Sequence, residues 1–145
     1  MLRDLGPEPL SLDFTGDYLF ESSRKRTASI KTFLMDQEIV VGVGNIYAVE
    51  TLFRAGIAPG RAAGGVSRKR YARLAQAVKE VLTQAIRSGG TTLRDFAHPD
   101  GMPGYFKQEL FVYGRQGAPC LTCGRPLSGN RLGNRATVWC VRCQN

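Results

Sequence analysis

Apolar and polar positions separate most cleanly between residues 67 and 88. Tyr71, Leu74, Ala75, Val78, Val81, Leu82 and Ala85 recur at i, i+3, i+4 and i+7 spacing, and Arg68, Lys69, Arg73, Lys79 and Glu80 lie mostly off that face. The pattern predicts an amphipathic helix capped by Ser67 and ended by Gly89 and Gly90. A second helix is predicted over "NIYAVETLFRAG", with Asn45 as its N-cap and Gly56 as its C-cap. Upstream, "FTGDYLFESSRKRTASIKTFLMD" has helical spacing in its second half, interrupted at Asp36 and Gln37. "EIVVGVG" is too short and glycine-rich for a strand and reads as turns. "AHPDGMPGYF" reads as a loop. From Phe106 onward the chain is more β-prone, with turn signals in "GRQGAPC" and "SGNRLGN". The expected layout is a linker or remnant over 1–13, a helical domain over 14–105 and a small module over 106–145.

Composition narrows the partner. A chain of 145 residues that is 43% hydrophobic can build a packed core. Twenty Lys and Arg against 12 acids give a net charge of +8, which suggests a polyanion: nucleic acid or an anionic membrane surface. No apolar run approaches the roughly 20 residues of a membrane span, and "MLRDLGPEPLSLDF" has no signal-peptide core. A cytosolic protein with reduced cysteines is expected.

The cysteines fall at C-x2-C-x16-C-x2-C: Cys120, Cys123, Cys140 and Cys143. Two thiolates two residues apart reach one ion from a tight turn, and two such turns complete a tetrahedral sulfur shell. One structural zinc is expected, with an iron–sulfur cluster as the rival centre. A β-prone "RATVWC" arm follows a Gly- and Asn-rich reversal, as in a hairpin. Between Lys107 and Asn145 the basic residues are Lys107, Arg115, Arg125, Arg131, Arg135 and Arg142, against the single acid Glu109. Arginine forks suit phosphate, and Arg135 on the hairpin is the candidate contact. His98, the only histidine, has no partner set for a metal. Trp139 and Tyr47 are expected to pack inside.

The stretch "VVGVGNIYAVE" invites a phosphate reading. It lacks the third glycine of a dinucleotide fingerprint and the Gly-Lys-Ser/Thr of a P-loop. What remains is a helix N-terminus with Asn45 beside it, and Lys31 upstream to reach the same phosphate. The competing reading is an ordinary capped helix hairpin.

Taken in order, "KTFLMDQEIVVGVGNIYAVETLFRAGI", "GGTTLRDF", "DGMPGYF", "LFVYGRQGAPC" and the cysteine module closely resemble the C-terminal half of formamidopyrimidine-DNA glycosylase. The resemblance runs from "LGPEPL" to "CQN". It implies a mainly α fold: a helix–two-turns–helix domain followed by a four-cysteine zinc β-hairpin. It implies double-stranded, preferably damaged DNA as partner, a monomer, and a bacterial cytosolic setting. The family removes oxidised purines and nicks the abasic site. By resemblance, Lys31 and Asn45 are phosphate contacts, and Arg135 is the hairpin arginine beside the lesion, assigned to the second elimination. A guanidinium with a pKa above about 12 is better suited to stabilising the departing phosphate than to donating a proton. Residues 97–106 resemble the segment that closes over the flipped-out base. Thr27 stands where a basic residue is expected.

The family's nucleophile is an N-terminal proline amine followed by a glutamate, in a β-rich catalytic domain. This chain begins Met-Leu-Arg, and Pro7, although followed by Glu8, carries an amide nitrogen. A fragment that binds DNA and cleaves nothing alone is expected, with the catalytic domain as a further partner. A stand-alone zinc-ribbon binder and a fragment of the endonuclease VIII branch are the alternatives.

Overall fold

The computed structural model describes residues 5–87 and 110–145. The expected capping loop 97–106 and His98 lie outside the described residues. Helix α1 spans Gly16–Ser23, α2 Ile30–Leu34, α3 Asn45–Ala55 and α4 Arg68–Arg87, with a 3-10 turn at Ala63–Gly65 before α4. Strands β1, Ser128–Leu132, and β2, Arg135–Trp139, form an antiparallel hairpin with Leu132 opposite Arg135 and Ser128 opposite Trp139.

α4 is the helix its periodicity predicts. Its seven apolar face residues are all buried, and the Ser67 hydroxyl accepts from Arg70 N at 3.2 Å. α3 ends at Gly56, whose φ of 74° is the left-handed conformation that favours glycine, with its N–H returning to Leu52 and Phe53 carbonyls. The N-terminal cap of α3 differs from expectation: Gly44 occupies it and makes no side-chain cap bond, while Asn45 is the first helical residue. The Asn45 side chain is turned to the hairpin instead: its Nδ2 donates to the Ala136 carbonyl, 91 residues away, at 3.0 Å, and its Oδ1 makes no cap bond.

The segment before α3 folds as two helices. The first half, where no periodicity stands out, forms α1, capped by Thr15 accepting from Tyr18 N at 3.0 Å. Ser29 caps the short α2 by accepting from Thr32 N at 3.1 Å. Residues 38–44 are turns, as their glycines predict. Within the stretch before them, Gly6 N donates to Gln37 O and Val41 N to Pro7 O, so residues 6 and 7 are pinned to those turns.

Two clusters of apolar side chains build the core. The larger joins Phe14, Leu19, Phe33, Leu34, Tyr47, Leu52, Tyr71, Leu74, Val78 and Leu82 from all four helices. The smaller joins Val49 of α3 to Val112, Leu127, Val138, Cys120 and Cys140. α3 therefore serves both clusters and seats the hairpin against the helices. The "SGN" of the predicted reversal is strand instead of turn. Gln116 lies across Gly129, and a Cβ there would come within 2.3 Å of that side chain and displace it. The reversal itself is confined to Gly133 and Asn134, both at positive φ.

Candidate nucleic-acid interface and metal centre

The cysteine centre begins with two knuckles, one before β1 and one after β2. The four Sγ atoms lie within 4.8 Å of one another. Cys123 and Cys140 are 3.4 Å apart and Cys120 and Cys143 3.9 Å, too long for disulfides. Sulfurs bound tetrahedrally at ~2.3 Å to one zinc stand about 3.8 Å apart, so the donor set fits such an ion. Backbone N–H groups of Thr122 and Cys143 point at the sulfurs of Cys120 and Cys140, each at 3.4 Å. Such donors offset thiolate charge. The four cysteines could therefore hold one metal ion. Gln144 fastens it to the helices: its Oε1 accepts from Cys140 N at 2.8 Å, and its Nε2 donates to Ile57 O at 3.0 Å.

The three predicted DNA-contact residues meet at one place. Lys31, on α2, is 1% exposed, yet its Nζ donates to Thr137 Oγ1 at 2.7 Å and reaches Ala136 O at 3.5 Å. Asn45, also 1% exposed, donates to the same Ala136 carbonyl. Ala136 follows Arg135, so the N-terminus of α3, the α2 lysine and the hairpin arginine converge. Lys31 and Arg135 line one cleft of about 350 Å³ with Thr32, Met35, Asp36, Leu132 and Gly133. Asp36, the acid of that cleft, lies 3.8 Å from Arg26. Burial, and then the neighbouring Arg135, push the Lys31 ammonium down to about 8. Two cations thus share one partly dry cleft with a single lining acid, Asp36.

Sequence reasoning missed two residues here. Glu50 sits inside α3 at 3% exposure and accepts from the N–H groups of Phe111, Val112 and Tyr113 at 2.7 to 2.9 Å. Burial raises its carboxyl pKa, while those three donors and Arg54 lower it. It anchors the chain entering the metal module. The available signal was a lone acid flanked by apolar residues in "NIYAVETLF". The second is Thr137, 1% exposed, whose hydroxyl also donates to Arg135 O at 3.0 Å. Nothing local distinguishes it from an ordinary strand threonine. Tyr47 is fully buried, as expected, and Trp139 is half-buried. No described helix is long and apolar enough to cross a membrane.

Comparison with known proteins bears on this arrangement. Residues 5–97 match the family model described as the formamidopyrimidine-DNA glycosylase H2TH domain. The chain is 65% identical over 144 residues to a formamidopyrimidine-DNA glycosylase of Stenotrophomonas maltophilia, covering 99% of this chain and 53% of that one. A counterpart in Xanthomonas campestris is 66% identical over the same share. The chain thus spans about half the length of the curated relatives it matches. Among solved structures, the MutM (Fpg) protein of Thermus thermophilus superposes with a TM-score of 0.84 at 43% identity, over 99% of this chain and 55% of that one. Fpg of Lactococcus lactis, solved with DNA containing an abasic site, superposes with a TM-score of 0.84 at 33% identity over 99% of this chain and 53% of its own. With a family match over most of its length and these likenesses spanning helices and hairpin together, the chain belongs to the formamidopyrimidine-DNA glycosylase family, whose H2TH domain and four-cysteine hairpin it carries.

Proposed function

We propose that this chain grips the backbone of damaged double-stranded DNA as the H2TH and zinc-hairpin portion of a glycosylase/AP lyase acting on oxidised purines. The carrying observation is that Lys31 and Arg135 line one cleft while Lys31 and Asn45 both bond the Ala136 carbonyl next to Arg135. Holding two cations together costs energy that a phosphate would return. Lys31 and Arg135 address the phosphate, and the amide of Asn45 holds the start of α3 beside it. Arg135 stabilises the phosphate that departs in the second elimination. The metal is zinc, which has no redox chemistry and suits four thiolates. Its part is to fix the hairpin that carries Arg135. Residues 1–13 act as a linker, 14–105 as the DNA-binding domain and 106–145 as the zinc module. The working state is a monomer in the bacterial cytosol.

These 145 residues bind DNA and do not cleave it unaided, since the family's chemistry uses a proline amine that Pro7, inside the chain, does not have. Fluorescence anisotropy on a duplex carrying an abasic analogue tests the binding. Two cationic contacts predict that log K falls with log salt at a slope of about −2. Affinity independent of salt would remove the phosphate reading. Borohydride treatment on an oxidised-guanine duplex should trap no adduct, and a covalent complex would overturn the claim of inactivity.

A further inference from the structure

Arg135 and Thr137 are two residues apart on β2, so their side chains leave the same face of the hairpin. That face meets α2. A buried strand position needs only an apolar filler of valine's shape, yet a hydroxyl sits here with two partners. It has one proton, which goes to the Arg135 carbonyl at 3.0 Å. Its lone pairs are left for the Lys31 ammonium at 2.7 Å. The rotor is thereby fixed, and Lys31 is linked through one oxygen to the backbone of Arg135. Arg135 is the residue of β2 next to the Gly133–Asn134 reversal, where the ladder ends. The bond from Thr137 adds a second restraint to Arg135, whose only ladder partner is Leu132 in the last pair.

We propose that Thr137 is a positioning residue: its hydroxyl holds the Lys31 ammonium against the backbone of Arg135, so that both cations address one phosphate. This rests on the phosphate reading given above. Among the described residues, the charged groups facing Lys31 are Arg135 from the hairpin and Asp36 from the end of α2, and Asp36 is engaged with Arg26. Without the hydroxyl, only the longer 3.5 Å approach to Ala136 O holds the ammonium to this part of β2, and mutual repulsion separates the pair.

The test uses the metal-loaded chain and a duplex with a tetrahydrofuran abasic analogue, at fixed salt. Thr137→Val keeps the shape and removes the oxygen. It should weaken binding about tenfold, as expected for losing a hydrogen bond to a charged group. Thr137→Ser should recover affinity to within about threefold of the parent. On an Arg135→Ala background, Thr137→Val should add less than about twofold, because the two act as a unit. Binding by Thr137→Val equal to the parent's, or an undiminished loss on the Arg135→Ala background, overturns the positioning role. If Arg135→Ala itself leaves affinity unchanged, the phosphate reading fails, and this inference with it. Should Thr137→Val fail to retain metal, the parent protein still decides. Its Thr137 hydroxyl proton should exchange slowly by NMR and show a through-space contact to Lys31, and a rapidly exchanging hydroxyl without that contact refutes the link.

Discussion

Lys31→Met should stabilise the free protein while weakening its grip on DNA. Methionine nearly matches the lysine stem in length and carries no charge. The magnitude follows from the ammonium's environment. A fall from 10.5 to about 8 means that the fold disfavours the charged form by up to about 3 kcal/mol at neutral pH. Against this stands the loss of two hydrogen bonds, but neither acceptor is orphaned. Ala136 O keeps Asn45 Nδ2, and Thr137 Oγ1 keeps its bond to Arg135 O. The loss then costs about 1 kcal/mol, leaving a net gain of about 2 kcal/mol. The sign depends on pH. Between the folded and unfolded transitions the unfolded chain binds more protons, so the parent's stability rises with pH there. The full contribution exists only above the unfolded transition at 10.5 and is lost as pH falls through about 8. The variant's advantage should therefore be about 2 kcal/mol at pH 7 and shrink to nearly nothing by pH 9.5. Urea unfolding of both metal-loaded proteins at the two pH values measures this, and comparing them cancels every other titrating group. A variant less stable than the parent at pH 7, or an advantage that does not change with pH, would refute the reasoning.

Three further outcomes are expected. Stripping the metal with a chelator should abolish the near-ultraviolet signal of Trp139 and leave most of the far-ultraviolet helical signal, because the helices have their own core cluster; loss of both in one transition would contradict that division. Glu50→Gln turns an amide N–H toward a site of three backbone donors, so it should cost about 2–3 kcal/mol and lower the melting temperature, with faster proteolysis near residue 111. Gly56→Ala forces a side chain to φ 74° and should cost about 1 kcal/mol in urea unfolding; an unchanged midpoint would speak against strain at the α3 cap.

What the sequence made legible follows the range of the interaction involved. α4, Gly56 and the cysteine spacing are local patterns: 3.6-residue periodicity, a left-handed cap, and pairs of ligands on one turn. Each was readable because the residues that satisfy one another lie within a few positions. The N-terminus of α3 misled for the opposite reason. Asn45 is a favoured cap residue, and its competing partner, Ala136, is 91 positions away. Glu50 and Thr137 are harder still, because their partners lie 61 to 63 and 106 positions off, across the seam between helices and hairpin. These same long-range bonds separate a family member from a stand-alone zinc ribbon. A ribbon needs only its four cysteines to fold, whereas this hairpin is seated by Val49, pinned by Glu50 and Gln144, and bonded through Ala136 and Thr137 to two residues of the helical half. A module meant to move independently would gain nothing from five such attachments. Their common effect is to hold Arg135 at a set distance from the start of α3, which is the arrangement required if one phosphate is to be held by both.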